Sequence, residues 1–130
     1  MAISVAQSAV TVTFNADTKT VSFGGAGYNN GQIDLLADVG LLTLELLNPP
    51  QGVTFPSAPI QFVNTSRLRP INPPRGATVH RLDGAKATLL IIASQVVAPE
   101  RLSFYVLVQT PDGEFFGTDP TIVTMPPING

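Results

Sequence analysis

A chain of 130 residues with no cysteine has room for one domain with a core of its own and no means of stapling it with disulfides. The same count excludes zinc knuckles, iron–sulfur clusters and thiol nucleophiles. Charged residues are 12% of the chain, about half the ~25% usual for soluble domains, and sum to −2, so no global field draws it to nucleic acid or to an anionic membrane.

The opening "MAISVAQSAV" has neither a basic n-region nor an apolar h-region of signal-peptide length, so a soluble chain, cytoplasmic by default, is expected. "AVTVTF" at 9–14 and "KTVSF" at 19–23 alternate apolar and polar residues across "NADT", the pattern of a strand, a short turn and a second strand. "GGAGYNNG" at 24–31 gathers Gly and Asn where positive φ is cheap, and reads as a loop. "QIDLLADV" fits either a short strand or one helical turn. "LLTLELL" at 41–47 is too apolar for a half-exposed strand and stops at "NPPQG", which predicts a buried strand.

"PIQFV" at 59–63 alternates again, and "ATVHRL" at 77–82 follows a Pro-rich loop and runs into an Asp-Gly turn. "KATLLIIAS" at 86–94 reads as a central strand. Its "LLIIA" is the longest apolar run, far short of the ~20 residues of a membrane helix. "RLSFYVLVQT" at 101–110 meets Pro111-Asp112-Gly113, a turn in which Pro sets φ, Asp bonds back to the backbone and Gly takes the positive φ. "EFF" and "TIVTM" return alongside as a final strand interrupted at "GTDP".

Seven to nine strands spaced by turn signals, with no capping box opening a helical pattern, predict one all-β domain over 1–130, an antiparallel sandwich. Its expected core is Val10, Val12, Phe14, Val21, Phe23, Leu42, Leu44, Leu46, Leu89, Ile91, Phe104, Val106, Val108 and Ile122.

"RLSFYVLVQTPDGEFFGTDPTIVTMPP" resembles the last hairpin of bacterial immunoglobulin-like domains: a Tyr-bearing strand, a tight turn and an outgoing strand. Asp119-Pro120 followed by "TIVTMP" is similar to a group of uncharacterised bacterial proteins, the DP-EP family; Met125-Pro126 stands where the second half of that name has Glu-Pro. The resemblance covers about the last thirty residues and implies an immunoglobulin-like fold with no assigned activity.

Chemistry has few places to reside. His80 is the sole histidine, with Ser66 and Asp83 near it in sequence, yet no nucleophile elbow or oxyanion-hole motif marks a triad. A strand-surface or hydrogen-bonded histidine is the favoured reading, and a hydrolase around His80 the least favoured function. With one His and no Cys, only oxygen ligands remain for a metal. Asp112, Glu114 and Asp119 form the densest acidic group but lack EF-hand spacing, so no metal or cofactor is expected. The Gly-rich loop precedes no helix pattern, which leaves a phosphate without half its field. Tyr28 at its tip is a possible contact for a partner. Asn64-Thr65-Ser66 matches a glycosylation acceptor, read as chance.

The most informative stretch is "RLRPINPPRGATVHR", residues 67–81. It holds Arg67, Arg69, Arg75 and Arg81, four of the seven Lys and Arg residues, besides His80. Guanidiniums on a Pro-stiffened loop lose little freedom on binding, which suits an anion-selective or protein-docking surface. The blander reading, and the favoured one, is ordinary loop charge, each Arg meeting an acid such as Asp83 or Glu100. A sparsely charged exterior is covered by polar and apolar atoms, which points to a protein partner or self-association. The expected function is therefore a non-catalytic protein-interaction or assembly module. The alternative is a small-ligand or carbohydrate-binding domain, for which the absence of Trp leaves a thin stacking platform.

Overall fold

The computed structural model describes residues 2–35, 37–64, 69–92, 101–118 and 121–124. They form ten strands: β1 Val5–Asn15, β2 Thr20–Gly24, β3 Gln32–Asp34, β4 Val39–Leu46, β5 Ile60–Val63, β6 Ala77–Asp83, β7 Lys86–Ile92, β8 Arg101–Gln109, β9 Phe115–Gly117 and β10 Thr121–Thr124. One sheet has the order β2-β1-β4-β7-β6; the other has the order β3-β10-β8-β5, with β9 also paired to β8. We refer to them as the first and second sheets. Among the described residues no helix is long and apolar enough to cross a membrane.

Local chemistry makes the first hairpin. Val10, Val12 and Phe14 point inward while the threonines between them point out, and Asn15 then turns the chain by accepting the N–H of Asp17 at 3.0 Å and of Thr18 at 3.2 Å. Lys19 takes the positive φ, 55°, that closes the turn. The ambiguous "QIDLLADV" yields the short strand β3, with Ile33 and Leu35 buried.

The expectation of wholly antiparallel sheets is corrected at two places. β1 runs parallel to β4 from Val5↔Val39 to Val12↔Leu46, and β10 runs parallel to β3. The chain leaves the first sheet after β2, contributes β3 to the second, and re-enters beside β1. Alternation along a strand reports which face is buried and carries no information about the direction of its neighbour.

The outgoing chain after Pro111 is an interrupted strand, as its sequence suggests. β9 pairs with β8 as Leu107↔Gly117 and β10 as Phe104↔Thr121, so the register slips by one residue between them. That slip exchanges the faces of everything beyond it. Val123 is therefore buried, and Ile122, expected in the core, is only half-buried.

The core lies between the sheets and draws Val12, Leu42, Leu44, Leu89 and Ile91 from one and Phe62, Phe104, Val106 and Val108 from the other. Each fully buried aliphatic or aromatic side chain contributes about 1.5–3 kcal/mol. Phe23 is partly buried against this core rather than inside it, with its ring 5.2 Å from that of Tyr28.

Candidate functional site

The Arg-rich stretch crosses the flank from one sheet to the other. Its N-terminal part returns along the edge of β5: Asn64 N–H donates to the Arg69 carbonyl at 2.8 Å, and Ile71 N–H to the Phe62 carbonyl at 2.9 Å. Pro70 lies opposite Val63 in this ribbon, where its missing N–H costs nothing because the outer side faces solvent. The chain then reaches Arg75 and turns at Gly76, φ 87°, into β6.

The described members of this group do not all share one face. Arg67 lies outside the described residues. Arg69 and Arg75 are exposed at opposite ends of the crossing segment. On β6, Ala77 and Val79 pack toward the core, and Arg81 follows on their side, its Nε donating to the Phe55 carbonyl at 3.0 Å. His80 projects the other way, exposed on the outer face. Among the described residues no arginine pairs with Asp83, which accepts the N–H of Ala85 at 2.7 Å. Glu100 lies outside the described residues. Arg81 thus ties the flank of the fold through its Nε, and among the described residues Arg69 and Arg75 are exposed arginines with no such tie.

Among the described residues no Ser–His–Asp triad is assembled around His80. Ser66 lies outside the described residues, and the Asp83 carboxylate serves its own turn, not His80. No group of three or more His, Asp or Glu fit to hold a metal exists among the described residues. The acidic group resolves into a turn: Asp112 accepts from the Thr110 hydroxyl and from Glu114 N–H, while Asp119 lies outside the described residues. Those donors, the Thr110 hydroxyl first, hold the Asp112 carboxyl below its ordinary value. The Gly-rich loop leads into β3 and not into a helix, and Tyr28 is half-buried against Phe23 and is not a free tip.

Two features escaped sequence reasoning. The first is a cleft of about 340 Å³ at the end of the sheets, where the β1–β2 turn, the 48–53 loop and the 110–114 turn meet. Phe14 and Phe116, with ring centroids 5.4 Å apart, and Val53 form its floor; the exposed Lys19 and Asp112 stand at its rim. No contiguous motif encodes it, because its walls come from three distant segments.

The second is the outer face of the first sheet. Register places Val5 beside Val39 and Val39 beside Ile92, and in the next row Leu41 beside Leu90. Side chains directly opposite on one face lie about 4.5–5.5 Å apart at Cβ, so these aliphatics form one contiguous patch. Val5 is 57% exposed and Leu90 36%, with Val39, Leu41 and Ile92 half-buried between them. Beyond a row of Thr43 and Thr88 the face ends at the Glu45–Lys86 ion pair, 3.9 Å. The signal was legible in part: "LLTLELL" and "LLII" are apolar at both parities. Burial on two faces was the natural inference, and the structure buries only one. Comparisons with protein-family models, with curated proteins and with solved structures give no match.

Proposed function

We propose that this protein is a non-catalytic interaction or assembly module whose working surface is the outer face of the first sheet. One observation carries the reading: a contiguous, partly exposed aliphatic patch on three adjacent strands, not covered by the described residues, in a chain poor in charge. Contiguous apolar surface of this kind on a folded domain marks an interaction site more often than chance exposure does. An immunoglobulin-like relationship, and with it the DP-EP likeness, belongs to the same proposal. The two facing sheets and the β8–β9–β10 hairpin support it, and the parallel β1–β4 pairing departs from it.

The reading is tested with Leu41→Thr/Leu90→Thr, which keeps strand propensity while removing the patch. The tagged native chain in extract of its own host is expected to migrate in a larger assembly than the variant does. Native protein that migrates at the same size as the variant overturns the reading.

The cleft beside Phe14 and Phe116 favours a second reading, a small-ligand site with an apolar floor and one cation, Lys19, and two carboxylates, Asp112 and Glu114, in its walls. Ligand-induced shifts of the Phe116 ring resonances in a fragment screen test it, and a screen that leaves them unmoved removes it.

A further inference from the structure

The sheet edges are not treated alike by this fold. The outer side of β5 is covered by the ribbon at 69–71, and β3 is only three residues long. β2 meets the second sheet through a Val21↔Thr118 bridge. Among the described residues β6 is the exception, a seven-residue strand paired on one side only.

The hydrogen-bonding phase of β6 follows from one bond. Ile92 N–H donates to the Gly76 carbonyl at 2.8 Å, and the register makes those residues direct opposites. Hydrogen-bonded and non-hydrogen-bonded pairs alternate along an antiparallel ladder, so Thr78 and His80 also direct their backbone groups to β7. The N–H and C=O groups of Ala77, Val79 and Arg81 therefore point outward. Of these, the Ala77 N–H is used by the Pro74 carbonyl at 3.2 Å. Among the described residues nothing pairs the outward backbone N–H groups of Val79 and Arg81.

We propose that β6 is a strand-addition edge whose partner is β6 of a second copy, paired antiparallel about a two-fold axis at Val79. This goes beyond the reading of the outer face, because it concerns an edge and names the partner. The regular part of β6 runs from Ala77 to Arg81, before the irregularity between Arg81 and Asp83, and Val79 is its midpoint. Centring the pair there matches outward groups with outward groups, Val79 with Val79 and Ala77 with Arg81, giving about four ladder bonds. It sets Arg81 opposite Ala77 and His80 opposite Thr78, so no like charges face each other across the seam. An axis through that point, normal to the sheet, keeps both outer faces on one side and joins the two first sheets, with their aliphatic patches, into one surface.

The cysteine-free chain offers a register-specific test. Thr78 and His80 are exposed on the outer face, so Thr78→Cys and His80→Cys leave the fold intact. In the proposed pairing Thr78 and His80 of the other copy form a non-hydrogen-bonded pair, with Cα atoms about 4.5 Å apart, within disulfide reach. An equimolar mixture of the two full-length variants under mild oxidation is expected to give disulfide-linked dimer, and each variant alone at most a trace. Equal dimer from one variant alone rejects the register, and no dimer in any sample rejects the edge pairing. Neither result touches the outer face, whose test reads assembly size with β6 unaltered.

Discussion

Thr118 binds Val106 twice: its N–H donates to the Val106 carbonyl at 2.9 Å, and its Oγ1 accepts the Val106 N–H at 2.9 Å. This pair sits at the register slip between β9 and β10, where a side chain completes the ladder that the backbone leaves incomplete. Thr118 is buried. Thr118→Val keeps its shape and removes the acceptor, leaving a buried N–H unpaired at a cost of about 1–3 kcal/mol. Thr118→Ser keeps the acceptor and is expected to cost clearly less. Urea midpoints of the two variants at equal m check this.

At Gly52 the loop passes against the turn at Pro111. Its φ is +82°, and a Cβ there would lie 2.4 Å from Pro111 Cγ. Gly113 has a similar φ, +88°, with open space around it. Gly113→Ala is expected to cost about 1–2 kcal/mol from backbone strain alone, and Gly52→Ala about 1–3 kcal/mol more from overpacking. Thermal denaturation of the two variants separates the contributions.

Parity on the first sheet makes neighbours unequal. Leu42 and Leu89 are wholly buried, and Leu42→Ala or Leu89→Ala is expected to cost about 2–5 kcal/mol. Leu41→Thr and Leu90→Thr, one residue away on the outer face, are expected to cost about 1 kcal/mol or less. Similar losses at adjacent positions would mean the outer face is as buried as the inner.

Much of this fold was legible because its signals are local. Turn chemistry placed the reversals at Asn15 and at Pro111-Asp112-Gly113, and alternation identified Val10, Val12, Phe14, Leu42, Leu44, Val106 and Val108 as core. Pairing direction was not legible, since β1 and β4 are joined through a visit to the other sheet. Nor was the slip that buries Val123 in place of Ile122, which depends on one residue of register far from any turn. The Arg-rich stretch read as a unit because its residues are close in sequence. Alternation along β6 and the crossing between sheets send Arg81, His80, Arg69 and Arg75 to different places.

Acid is expected to weaken the fold through two exposed carboxylates. Ser4, by its backbone N–H and then its hydroxyl, holds the Asp38 carboxyl below its ordinary 3.8, and the Thr110 hydroxyl does the same for Asp112. A folded-state value below the unfolded one means that the unfolded chain takes up protons first. The contribution is thus whole above about pH 5 and fades as the pH falls through the ordinary carboxylate value and below. Thermal midpoints measured downward from about pH 6 should fall less steeply for Asp38→Asn/Asp112→Asn than for the native chain.

The most direct measurement is site-specific photo-crosslinking in the native host. A photoreactive phenylalanine analogue replaces Thr43, in the row of the outer face next to Leu41 and Leu90, or Asp17, in the exposed β1–β2 turn. Cross-linking at 43 to a defined protein, a second copy or another chain, with none at 17, is the expected result. Equal cross-linking at both positions, or none at 43, would contradict an interaction surface on this face.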